Sequence, residues 1–67
     1  MHTEAQVRAE LPDVPVRFGR NTYTGIVTGR QQTFAMVFIV TECGIVSHEV
    51  AWGTVASVLN RGAAVKF

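Results

Sequence analysis

Disulfide pairs, long apolar runs, phosphate-binding glycine loops and any strong excess of charge are all missing from this chain. Each absence removes a class of protein. The lone cysteine, Cys43, cannot close an internal disulfide, which suits a reducing compartment better than a secreted scaffold. No C-x-x-C or H-x-x-x-H spacing occurs, so neither a metal centre nor a cofactor is expected. The longest apolar stretch, Phe34 to Val40, has seven residues, whereas a membrane helix needs about 20. The opening residues Met1 to Gln6 are polar and carry no apolar signal core. Together these features predict a cytoplasmic protein with no membrane partner.

Charge gives little direction. The net charge is +1, and nucleic-acid modules are usually far more basic. Arg17, Arg20 and Arg30 lie in a stretch from Val14 to Thr41 that has no acid. Size is more restrictive. A chain of 67 residues makes one domain, near the length where folding buries only about 60% of the unfolded surface. Disulfide and metal staples being absent, oligomerisation is the remaining device. A homo-oligomer is therefore expected.

What is present is mostly strand. Val14-Pro15-Val16-Arg17-Phe18 alternates with period two, as a half-buried strand does. Tyr23 to Thr28 is β-branched and aromatic, with Gly25 marking a bend or a close backbone approach. Gly29-Arg30-Gln31-Gln32 is turn-like, and Thr33 to Thr41 forms a third, strongly apolar strand. Glu42-Cys43-Gly44 makes the next turn and Ile45 to Ala51 or Trp52 the fourth strand, with Ser47 and Glu49 on its wet side. Val55, Val58 and Leu59 then recur at helical spacing, so a helical turn is expected from Thr54 to Arg61, stopped by Gly62. Ala63 to Phe67 closes as a short strand. Before all of these, Thr3 and Gln6 match a capping box for a short helix that ends at Leu11-Pro12. The expected organisation is a helical arm over residues 1–13 and a β domain over 14–67.

Four strands, a helical turn and a fifth strand resemble a Src-homology-3-like small barrel over Val14 to Phe67, a likeness of topology. The resemblance implies a mainly β fold, a five-stranded antiparallel barrel with a short helical turn before the last strand. That superfold hosts many activities and implies no single one. The small trimethoprim-resistant reductases are similar in one feature, Tyr23-Thr24-Gly25 on the second strand. Their pore-lining Val-Gln-Ile-Tyr motif is absent, since the corresponding region reads Val50-Ala51-Trp52-Gly53-Thr54-Val55, and no catalytic residue is carried over.

His48 and Cys43 are the residues with reactive chemistry, and neither has a sequence neighbour that would activate it. A non-enzymatic binding or assembly module is the favoured expectation, and an oligomeric pore enzyme a distant one. If Phe34, Met36, Phe38 and Val40 fill the interior, then Ala35, Val37 and Ile39 face outward and form an oligomer interface. A second expectation follows from the barrel resemblance, which gathers the connecting loops. Arg20, Arg30, Gln31, Gln32 and Arg61 would then contact nucleic acid, with Trp52 either at their flank or in the core.

Overall fold

The alternating segments pair as strands. A computed structural model describes residues 1–67 and contains β1 (Val14–Phe18), β2 (Asn21–Thr28), β3 (Phe34–Thr41) and β4 (Gly44–Ala51), each antiparallel to the next. A helix α1 (Glu4–Glu10) precedes them, and α2 (Trp52–Arg61) and β5 (Val65–Lys66) follow. The sheet order is β4-β3-β2-β1-β5. The sheet curls into a half-barrel, and both helices contribute side chains to the core on its inner side. No helix is long and apolar enough to cross a membrane.

The fifth strand departs from the expected all-antiparallel barrel: β5 pairs with β1 in parallel, Val16 opposite Val65 and Arg17 opposite Lys66. Geometry explains this. The chain leaves β4 at one edge and must reach the other, four strand spacings of about 4.8 Å away. The ten-residue α2 spans about 15 Å, so the helix and its short exit carry the chain across the half-barrel's inner side. The chain then enters β5 in the direction of β1, and the barrel stays open. Helix α2 also begins two residues before Thr54, with Ala51 as its N-cap and no side-chain cap bond. Burial of Trp52 anchors that first turn instead. Gly62 ends the helix in the left-handed conformation, as the sequence predicts.

Helix α1 is only seven residues long, too short to hold in water alone. The Thr3 hydroxyl accepts the Gln6 N–H at 3.1 Å, and Val7 is fully buried in the common core. The arm is therefore docked. Just before the helix, the His2 N–H donates to Asn60 Oδ1 at 2.7 Å while Asn60 Nδ2 donates to the His2 carbonyl at 2.8 Å.

The core has 13 residues, nine of them valine, with Ala35, Ile39, Trp52 and Ala56. Such small side chains let two helices sit close to a strongly curled sheet. Inward side chains come from Val14 and Val16 on β1, Val27 on β2, Ala35, Val37 and Ile39 on β3, and Val50 on β4. This reverses the expected facing of β3: Ala35, Val37 and Ile39 are fully buried and are core, not an oligomer surface. The register explains the reversal. Thr41 pairs with Gly44 across a two-residue turn, Glu42-Cys43, whereas a three-residue turn through Gly44 would have paired Thr41 with Ile45. A slip of one residue exchanges the two faces of a strand.

Gly25 lies where β1, β2 and β3 close on one another. A Cβ there would sit 2.6 Å from Val16 Cγ2, 2.8 Å from Val37 Cγ1 and 2.9 Å from the Val14 carbonyl. Gly25→Ala should therefore destabilise the fold by about 1–3 kcal/mol, the usual cost of overpacking, read as a lower urea midpoint. Val37→Glu should be harsher, since it leaves an unpaired carboxylate in the core. Its expected result is loss of the cooperative thermal transition rather than a soluble folded chain.

Candidate interaction surface

The residues displaced from the interior by this register form one surface. Register pairs join Ile26 to Phe38, Thr28 to Met36, Phe34 to Ala51 and Val40 to Ile45, all on the side of the sheet away from the core. Val40 is 68% exposed, Ile45 71%, Ile26 52% and Phe34 49%; Met36 and Phe38 are partly covered by their neighbours. Ser47 and Glu49 are the polar members on β4, opposite Phe38 and Met36. Gln32, Thr33, Phe34, Met36 and Glu49 line a shallow depression at one end. Scattered apolar side chains on a surface are ordinary, whereas these lie side by side across three strands.

The five polar residues expected to form a nucleic-acid site are not all brought together: Arg30, Gln31 and Gln32 share one loop, and Arg20 and Arg61 lie elsewhere. Arg20 precedes β2 and Arg30 follows it, so the eight-residue strand holds them roughly 25 Å apart. Arg61 lies at the C-terminal end of α2, where its Nε donates to the Ser57 carbonyl of its own helix at 3.4 Å. Trp52 at the other end of that helix is core. Gln31 and Gln32 share the β2–β3 loop with Arg30.

Arg30 is occupied structurally. Its Nε donates to the Arg8 carbonyl at 3.2 Å and its Nη2 to the Ala9 carbonyl at 2.8 Å, satisfying acceptors left over at the end of α1. A cation there also suits the negative end of the helix dipole. Arg8 reciprocates, with Nε donating to the Arg30 carbonyl at 2.9 Å and Nη2 to the Gln32 carbonyl. The Arg8 guanidinium lies 5.3 Å from the centre of the Trp52 ring, within cation–π range. Trp52 Nε1 donates to the same Gln32 carbonyl at 3.0 Å. Two arginines thus tie α1, the β2–β3 loop and α2 into one node. Nothing in the sequence pairs Arg8 with Arg30, because the contact joins residues 22 positions apart.

The reactive side chains lie apart. Cys43 is exposed in the β3–β4 turn, its N–H donating to Thr41 Oγ1 at 3.1 Å. The His48 ring rests against Phe67, centroids 5.0 Å apart. That contact places the residue after β5 beside β4. The outer-face residues Phe34, Met36, Phe38 and Val40 were missed as a surface by the sequence pattern, although a signal for them existed. Ser47 and Glu49 read as wet, and pairing across a two-residue turn would have put the even-numbered residues of β3 beside them.

Arg30→Ala should free α1 with little effect on the sheet. The expected result is a loss of about 1 kcal/mol, the scale of exposed charge-assisted hydrogen bonds, with faster amide exchange confined to residues 4–10. Equal exchange gains throughout the chain would contradict this role.

No protein-family description, curated protein or solved structure matches the chain.

Proposed function

We propose that this chain is a non-enzymatic assembly module that associates with further copies of itself through the outer face of β2, β3 and β4. The observation that carries the proposal is the stripe of Ile26, Phe34, Met36, Phe38, Val40 and Ile45, set on regular strands and left without a covering element. Both helices are spent on the other side of the sheet. Alternation along β3 is between two apolar sets, the pattern of a strand buried on both faces, and only one of its faces is covered within a single copy.

Size supports the same reading. A standard interface takes about 800 Å² from each partner, close to a fifth of the 4435 Å² that this chain exposes. An apolar sheet face is also self-complementary: a twofold axis through it sets apolar residues against apolar residues on both copies. The curled five-stranded sheet is of the general kind found in Src-homology-3-like barrels, a superfold whose members include oligomeric rings.

Ile26→Glu tests the proposal at the centre of the stripe, on a side chain exposed enough to leave the fold intact. The variant should keep its melting transition and sediment as a smaller species than the wild type, and Phe34→Glu should do the same. A wild-type chain that sediments as a single copy at every concentration would count against the proposal, as would an assembly whose mass neither substitution changes.

A further inference from the structure

The sheet has two edges of very different character. On one side β5 is two residues long. On the other side β4 runs for eight residues, Gly44–Ala51, without a proline and with Glu49 as its single charged side chain. Proteins usually shorten such an edge, place lysine or proline on it, or cover it, because its outward N–H and carbonyl groups are a template for another strand. On β4 these devices are sparse: Phe67 touches the strand at His48, Glu49 is its one charge, and most of its residues are exposed.

We infer that β4 pairs antiparallel with β4 of a second copy about a twofold axis, joining two five-stranded sheets into one continuous sheet. The inference rests on the self-assembly reading for its choice of occupant, but it uses a different surface. Side chains of paired residues must share a face, so odd-numbered residues meet odd-numbered ones. With nearly full overlap of the strands, the axis then passes through Ser47 or through His48. A Ser47 axis sets the Glu49 carboxylate against Ile45 of the second copy. A His48 axis sets Ile45 against Ala51, Val46 against Val50 and Ser47 against Glu49, with His48 facing its own counterpart. In this second register apolar residues meet apolar residues and a hydroxyl can donate to the carboxylate, so it is the one assigned.

Continuity with the apolar stripe favours the same register. Within one copy Val40 lies beside Ile45, and Phe34 beside Ala51. Joining Ile45 to Ala51 of the second copy makes one row on the outer face: Val40, Ile45, then Ala51 and Phe34 of the neighbour. Edge pairing thus enlarges the surface through which the face contact would form. Two different twofold contacts per chain, where their axes cross at right angles, close into a tetramer.

Native mass spectrometry and sedimentation of four proteins separate the two contacts. Wild type should contain four copies. Ile26→Glu, on β2 and two strands from the edge, should fall to two copies held by β4. Adding Ser47→Glu to it opposes carboxylates twice across the axis and should weaken that pair by about tenfold or more. Adding Ser47→Lys instead, which places an ammonium opposite each Glu49, should tighten the pair. Ser47 is exposed, so melting curves should match for both changes and a folding defect would be visible. A single-copy Ile26→Glu protein from an oligomeric wild type overturns the edge contact and leaves the face contact standing. A dimer that ignores Ile26→Glu but is split by Ser47→Glu sustains the edge contact and removes the face contact. If Ser47→Lys and Ser47→Glu weaken the pair alike, the His48-centred register is wrong.

Discussion

Everything in this molecule depends on the register of the β3–β4 hairpin. Its turn is closed by Thr41, whose hydroxyl accepts the Cys43 N–H and donates to the Gly44 carbonyl at 2.9 Å. With Thr41 opposite Gly44, the small set Ala35, Val37 and Ile39 goes inside and the large set Phe34, Met36, Phe38 and Val40 goes outside. Both sets are apolar, so hydrophobicity alone does not choose between them. Volume does. A half-barrel that must also admit Trp52 and Val55 from one helix and Val7 from another has room for valine and alanine on β3, and two phenylalanines there would overfill it.

Once the small set is inside, the rest of the core follows. Gly25 lets β1, β2 and β3 approach within van der Waals contact, with no space for even a methyl group. Helices α1 and α2 then seat on the inner side, and the reciprocal hydrogen bonds of Arg8 and Arg30 fasten α1 to the β2–β3 loop. Capping accounts for the start of α1, but a helix of that length persists because Val7 is buried and its terminal carbonyls are satisfied. The Nε and Nη2 groups of Arg30 are thereby committed within the fold.

The same choice leaves the molecule unfinished on its other side. A sheet with helices on one face and a row of isoleucine, phenylalanine and valine on the other has solved half of its burial problem. Both helices lie on the inner side, and neither covers the outer face. The long edge of β4 poses the matching problem for backbone hydrogen bonds. In the proposed assembly another copy of the chain would answer both, because it brings an identical apolar face and an identical edge of matching length. The proposed self-association would continue folding by the same two forces, apolar burial and strand pairing.

The amino-acid sequence determined a good deal by itself: a mainly β chain, strands close to their observed limits, a helix stopped at Gly62, a short capped helix at the start, and a close approach at Gly25. Those features are local, set by period, β-branching, capping and glycine, and they are legible wherever a few adjacent residues decide them. The direction of β5, the inward face of β3 and the partnership of Arg8 with Arg30 were decided only by tertiary structure. Each depends on distance across the sheet, on the volume left between helices and sheet, or on groups far apart in the chain. The candidate surface belongs to this second kind, because β3 offers two apolar faces and a single residue of turn length selects which one meets the core.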